Sequence, residues 1–267
     1  MPVIQTNGIN LYYEERGIGE PLLLIMGITA SGAAWEKHAA CWAKNFRCII
    51  VDNRGVGFSE KPAGPYATGQ MADDCAGLLE MLHIRKARVV GCSMGGIIAQ
   101  QLAIRHPGKV HSIVLMCSWA RCDHSTRGIF EHMIHCKSRF RPEEFALFIQ
   151  LLIYSKSSWN NQVMLTGMEE DRKQSAIEPQ PQPLHALEGQ AAACINHDVV
   201  DDLNKIKVPT IVLGGREDNF IPVRMAEELV RAIPNAELYL FDKCSHAFHW
   251  EKIEEFNPLV NNWLINH

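Results

Sequence analysis

The chain has 267 residues, 47% of them apolar, and a net charge of −4 with both signs interspersed. This is enough to bury a full core as one large domain or a domain with an insertion, and it excludes the basic surface that nucleic acid or an anionic membrane requires. No apolar run approaches the roughly 20 residues that span a bilayer, and the first residues, Met1 to Gly8, lack the basic and apolar parts of a signal peptide.

From Leu11 onward, short apolar runs alternate with helical ones. Leu22–Met26 reads as a strand, Ala33–Ala43 as a helix and Cys48–Val51 as a strand. Met71–Leu82 is a helix, Ala87–Gly91 a strand, Met94–His106 a helix and Val110–Met116 a strand. Strands of four to seven residues separated by helices predict a mostly parallel sheet covered on both faces. The pattern stops at Trp119 and returns after His197, with a strand at Val208–Leu213, a helix at Pro222–Ile233, a strand at Ala236–Phe241 and a closing helix at Ile253–Ile265. The expected organisation is a core made of residues 1–118 and 198–267, with a helical cap, 119–197, inserted over the carboxyl edge of the sheet. Within that insertion Arg141-Pro142-Glu143-Glu144 opens a helix over the apolar run Phe145–Ile153. The nine cysteines contain no Cys-x-x-Cys pair and read as free thiols of a cytoplasmic protein.

Gly91-Cys92-Ser93-Met94-Gly95 spells Gly-x-Ser-x-Gly between a strand and a helix. A serine on that turn has its hydroxyl pushed outward over the positive end of the helix, and the flanking glycines make the turn sterically possible. A serine nucleophile needs a base and an orienting acid. His246 follows the strand Ala236–Phe241, and Asp218 follows Val208–Leu213, so both stand on loops at the edge where open sheets of this type bind ligands. The order Ser93, Asp218, His246 is that of a nucleophile-elbow enzyme; Glu217 is the rival acid. The oxyanion donors are expected at the N–H of Met94 and at that of Ile28, on the turn after Leu22–Met26.

Two further motifs join these. Asp52-Asn53-Arg54-Gly55-Val56-Gly57-Phe58-Ser59 is similar to the Asp-x-Arg-Gly-x-Gly-x-Ser loop of the α/β-hydrolase superfamily, and His246-Ala247-Phe248-His249-Trp250-Glu251 is similar to its His-x-x-His-x-Glu ending. The chain resembles that superfamily over nearly its whole length. The resemblance implies an α/β-hydrolase fold, with Ser93 as nucleophile, His246 as base, Asp218 as its partner, and Ile28 and Met94 as oxyanion donors. There are two departures: Met26-Gly27 stands where the family usually has His-Gly, and Ser245 where it usually has glycine before the histidine. Within the superfamily the cap opening Ser118-Trp119-Ala120-Arg121, with Thr126-Arg127, Tyr154, Trp159 and Glu188-Gly189-Gln190, is similar to the 3-oxoadipate enol-lactonase and aminoacrylate hydrolase group.

The expected activity is that of a serine hydrolase on a small ester or lactone, requiring no cofactor and no metal. Carbamate, C–C bond or perhydrolysis chemistry on the same triad, or a small-molecule receptor of the same fold, are the alternatives. Trp119, Phe220 and Phe248 are expected to line an apolar pocket, and Arg121 and Arg127 are the cations that would meet an acidic substrate. Arg54 reads as a structural ion-pair partner and Cys92 as a small buried filler. His246 with His249, and His132 with His135, have the spacing of metal ligands but lack a partner cluster. The expected partner is the small-molecule substrate, with no nucleic acid and no membrane, and the cap and sheet edges leave room for a homo-oligomer.

Overall fold

The computed structural model describes residues 2–267. Eight strands form one sheet: β1 (Val3–Thr6), β2 (Ile9–Arg16), β3 (Glu20–Ile25), β4 (Phe46–Val51), β5 (Ala87–Cys92), β6 (Val110–Met116), β7 (Thr210–Gly215) and β8 (Ala236–Phe241). Their spatial order is β1-β2-β4-β3-β5-β6-β7-β8, antiparallel at the β1-β2 and β2-β4 pairs and parallel from β4 to β8. This is an α/β-hydrolase sheet. The β1-β2 hairpin lies outside the expected pattern; its turn is Asn7-Gly8, with φ of 47° and 77°, the pair favoured in two-residue hairpins.

Side chains of the parallel strands alternate between two cores, as the period of two requires. Leu23, Ile25, Ile49, Val89, Ile113, Leu115 and Val212 face one side, under the helices Thr68–Met81, Met94–Arg105 and Val223–Ala232. Leu22, Leu24, Ile50, Val90, Val114, Met116, Ile211 and Leu213 face the other, under Glu36–Trp42 and Ile253–Asn266. Each fully buried Leu or Ile contributes about 1.5–3 kcal/mol.

After β3 the chain moves to β4 on one side, and β5 then pairs with β3 on the other. The loops leaving β3 and β5 therefore diverge and open a crevice at their carboxyl ends, the place where doubly wound sheets bind ligands. Between 119 and 197 lie five helices: His124–Lys137, Pro142–Ile153, Lys156–Trp159, Gln162–Ser175 and Leu184–Ile195. Their segment leaves and re-enters at one point, where Val199 N–H donates to the Ala120 carbonyl at 3.1 Å. Among the described residues no helix is long and apolar enough to cross a membrane.

The loop 52–59 is fixed to the helix Thr68–Met81 by a buried fork. Arg54 Nε and Nη2 donate to the two oxygens of Asp74, each at 2.6 Å, and both side chains are 3% exposed. Arg54 thus serves the frame of the loop and does not face the sheet-edge crevice. Arg54→Met leaves Asp74 buried without its cation and is expected to cost about 3–5 kcal/mol. Urea unfolding at neutral pH measures this, and Arg54→Met combined with Asp74→Leu should cost much less.

Candidate active site

Ser93 follows β5 with φ 54° and ψ −114°, a conformation that costs a non-glycine residue about 1–3 kcal/mol. Its neighbours hold it there. The Ser93 N–H donates to the Met116 carbonyl at 2.8 Å, and the Ser93 carbonyl accepts from Gly96 N–H at 2.9 Å. A Cβ on Gly91 would strike the carbonyl of Gly95, and one on Gly95 would strike that of Ile25, so the strand, turn and helix close only with glycine at both places. The Ser93 hydroxyl is buried and has no hydrogen-bond partner among the described residues.

Asp218 lies three residues beyond β7. Its Oδ1 accepts from the N–H groups of Phe220 (2.9 Å) and Ile221 (2.8 Å). This fixes the carboxylate so that Oδ2 meets His246 Nδ1 at 2.8 Å. The rival Glu217 is exposed and makes no such contact. A bond at Nδ1 places that ring proton toward Asp218 and leaves Nε2 as the basic nitrogen. The His246 loop is held from below: Ser245 N–H donates to Glu251 Oε2 at 2.8 Å, and Ala247 N–H to the Ile153 carbonyl at 2.8 Å. Ser245, standing where glycine is usual in the resembling family, is not among the residues of positive φ, so its Cβ meets no backbone conflict. The departure at Met26 is equally accommodated, because that side chain is buried and lines the site.

Ser93 and His246 share a cavity of about 110 Å³ with Met26, Gly27, Ile28, Met133, Ile149, Leu152, Ile153, Phe220, His249 and Trp250. Most of its wall comes from loops at the sheet edge, and Met133, Ile149, Leu152 and Ile153 of the inserted helices close the rest. No Asp, Glu, Lys or Arg lines it among the described residues. It adjoins an outer chamber of about 410 Å³, with which it shares Thr29, Ala30, Ile149, Ile153 and Trp250. Of the oxyanion candidates, Ile28 lines the cavity, and Met94 supplies the first amide of the helix Met94–Arg105, which has no acceptor one turn back.

The other expected pocket residues divide. Phe220 is a wall, its ring centroid 4.9 Å from that of His246. Trp119 is not at the cavity; it packs on Phe130 at 5.8 Å inside the core. Phe248 is turned to the opposite face of the sheet, stacked on Phe241 at 4.9 Å. Arg121 and Arg127 are exposed, and Arg121 lies 3.8 Å from Asp198 at the surface. The residues unforeseen in the sequence are the apolar ones of the inserted helices and Trp250. The run Phe145–Ile153 is apolar at every position but Gln150 and so marks no face.

Behind the cavity lies a buried polar chain. His38 Nδ1 meets Asn257 Oδ1 at 2.6 Å, His38 Nε2 meets His249 Nδ1 at 3.0 Å, and His249 Nε2 meets Cys92 Sγ at 3.9 Å. The Asn257 oxygen can only accept, so His38 carries its proton on Nδ1, and His249 then donates from its own Nδ1. Burial pushes the His38 pKa down to about 4 and that of His197 to about 3. Burial, then the imidazoles of His38 and His246, hold His249 well below the usual histidine value. All three are neutral in the fold and take up protons near the ordinary value of 6.5 once exposed. The unfolded chain therefore binds more protons below that pH. Stability is intact above about pH 6.5 and is lost as the pH falls, down to about 4 for His38 and about 3 for His197. The urea midpoint should drop between about pH 7 and about pH 5, and His38→Gln should flatten that slope by close to one proton.

Comparison with known proteins follows the same lines. A family model described as the alpha/beta hydrolase fold matches residues 20–253. The chain is 28% identical to a protein of Azorhizobium caulinodans named as the carbamate hydrolase RutD, over 97% of each. It is 31% identical to a Mycobacterium tuberculosis protein named as the non-heme bromoperoxidase BpoC, over 94% of this chain and 96% of that one. The solved enol-lactonase of Burkholderia xenovorans superposes with a TM-score of 0.88 at 24% identity, over 99% of this chain and 100% of the other.

Proposed function

Because the chain belongs to the α/β-hydrolase family, we propose that it is a serine hydrolase that cleaves a small, uncharged ester or lactone through Ser93, His246 and Asp218. The observation that carries this reading is the His246–Asp218 bond of 2.8 Å beside a serine held at φ 54° on the same apolar cavity. Ser93 Oγ attacks the substrate carbonyl and passes its proton to His246 Nε2. The N–H groups of Ile28 and Met94 hold the oxygen as it becomes negative. His246 returns the proton to the departing alcohol. It then takes one from water, which hydrolyses the acyl-enzyme. Asp218 fixes the tautomer and stabilises the imidazolium. On this reading residues 1–118 and 198–267 are the hydrolase core and 119–197 the cap.

The cavity also narrows the substrate. An acidic acyl group would enter a space without a single cationic side chain, and burying an unpaired charge is prohibitive. The acyl part is therefore short and apolar, and the alcohol part extends into the outer chamber. A carbamate is the second reading, favoured by the name of the Azorhizobium caulinodans relative; product analysis on ester and carbamate substrates separates the two.

Ser93→Ala should lower ester turnover on the order of 10⁴-fold or more while the protein stays folded. A fluorophosphonate probe should label the wild type at Ser93. Undiminished turnover in the variant rejects the proposal, and labelling without multiple turnover points to a receptor.

Chain length gives a second measurement. Leu152 and Phe220 line both the Ser93 cavity and a separate groove of about 1010 Å³ bounded by Ile129, Leu151, Tyr154 and Trp159. Leu152 is thus a partition. Wild type should prefer acetyl to butyryl esters, and Leu152→Ala should raise the octanoyl-to-butyryl ratio of kcat/KM about tenfold or more.

A further inference from the structure

We propose that Gln190, a cap residue, is a positioning residue that sets the aim of the Ile28 N–H at the oxyanion; this rests on reading Ser93 as the nucleophile. The hydrogen in question belongs to the peptide plane between Gly27 and Ile28. The plane before it is held because the Met26 carbonyl accepts from Asn53 Nδ2 at 2.9 Å. The plane after it is held because Thr29 N–H donates to Gln190 Oε1 at 3.1 Å. With both neighbours pinned, the Cα atoms of Gly27 and Ile28 are held, and with them the axis about which the middle plane can turn. Thr29 sits at φ 70°, where side chains larger than glycine are rarely found, so this turn is not one the local sequence prefers. Something outside the turn has to hold it.

Gln190 is built for that task. It is fully buried, and its Nε2 donates to the Arg54 carbonyl at 2.9 Å. Its Oε1 also accepts from Gln182 Nε2 at 2.9 Å, and Gln182 Nε2 donates in turn to the Gly55 carbonyl at 3.1 Å. These bonds leave the amide one orientation, because a flip would set Nε2 against two donors and Oε1 against a carbonyl. Asn53 and Arg54 are consecutive, so both pins start from the loop 52–59. That loop is itself fixed: Asp52 accepts from Gly32 N–H (2.6 Å) and Phe58 N–H (2.8 Å), and Arg54 is locked to Asp74. Gln190 stands on the cap helix Leu184–Ile195. The oxyanion donor is therefore registered on the cap and on the core at once, and a cap that shifts carries the Ile28 peptide with it.

The test is Gln190→Met, which keeps the length and removes both polar ends. Three quantities are measured: kcat and KM on p-nitrophenyl acetate, and Ki for an alkyl trifluoromethyl ketone, whose serine adduct places an oxyanion at the same donors. We expect kcat to fall about 10-fold to 100-fold with KM within about twofold, and the ketone Ki to rise by the factor that kcat/KM loses. A folded variant with wild-type kcat, or with lowered kcat and an unchanged ketone Ki, overturns the proposal. Should Gln190→Met fail to fold, Gln182→Leu removes the neighbour that orients the amide and should show the same signature at smaller size. Wild-type kcat and Ki in that variant overturn it too. If the wild type turns over no ester and binds no ketone, the reading of Ser93 falls; if it does both and the variants match it, only the role of Gln190 falls.

Discussion

Where the helix after Ser93 passes the end of β3, its backbone at Gly95 lies closer to the Ile25 carbonyl than any Cβ would permit. That approach brings the carboxyl ends of β3 and β5 together and puts the turn of Gly27 against the nucleophile turn, with the place for a Gly27 Cβ only 3.3 Å from that of Ser93. On the proposed mechanism, a helix amide and a loop amide serve one oxygen because these two backbones touch, and a side chain between them would separate the serine from one of its donors. The strained φ of Ser93 follows from the same fit: the surrounding bonds over-determine a conformation that an isolated turn would not choose.

The inserted helices are joined to this edge at polar points that the apolar cavity itself lacks. Glu251 takes Ser245 N–H with one oxygen and, with the other, Ser155 N–H at 2.8 Å and the Ser158 hydroxyl at 2.6 Å. The same carboxylate thus secures the His246 loop and the chain just beyond the helix Pro142–Ile153. Ala247 N–H, on the Ile153 carbonyl, adds a second tie at that junction. The His246 loop and the helix Pro142–Ile153 are consequently parts of one assembly, although they come from segments far apart in the chain. On the proposed function, these ties couple the base to the wall that selects the substrate.

Much of this was legible before the structure, and the reason is local. Parallel strands buried on both faces read as short apolar runs, and a nucleophile turn needs its glycines at fixed offsets, so Ser93, Asp218 and His246 stand out from sequence alone. The Asn7-Gly8 hairpin carried an equally local signal, and β1 could have been read from it. The acyl wall could not. Phe145–Ile153 is apolar at nearly every position, which leaves the inward face of its helix undefined until the neighbouring helices are placed. Trp119 and Phe248 fail as pocket residues for a related reason. Trp119 follows the end of β6 and Phe248 opens a short helix beyond β8, and which core each enters depends on side-chain direction, not on its distance from the motif. Gln190 was visible only as part of a resemblance, because its bonds to Thr29 and Arg54 reach more than a hundred positions away.

The buried histidine chain bears on the same cavity by what it keeps out. His249 lines the space occupied by His246, yet its hydrogen bonds and burial leave it neutral. On the proposed mechanism, a second cation there would repel the imidazolium formed on His246, and that repulsion would raise the energy of the charged step in a region of low dielectric. The direction of the chain prevents this. Asn257 accepts from His38, His38 accepts from His249, and the one nitrogen of His249 left without a proton faces the weak donor Cys92. A neutral imidazole is also a large, flat, mainly apolar filler beneath the cavity floor. The arrangement surrounds His246 with walls that carry no charge, so that on the proposed mechanism stabilisation of the developing anion falls to backbone amides.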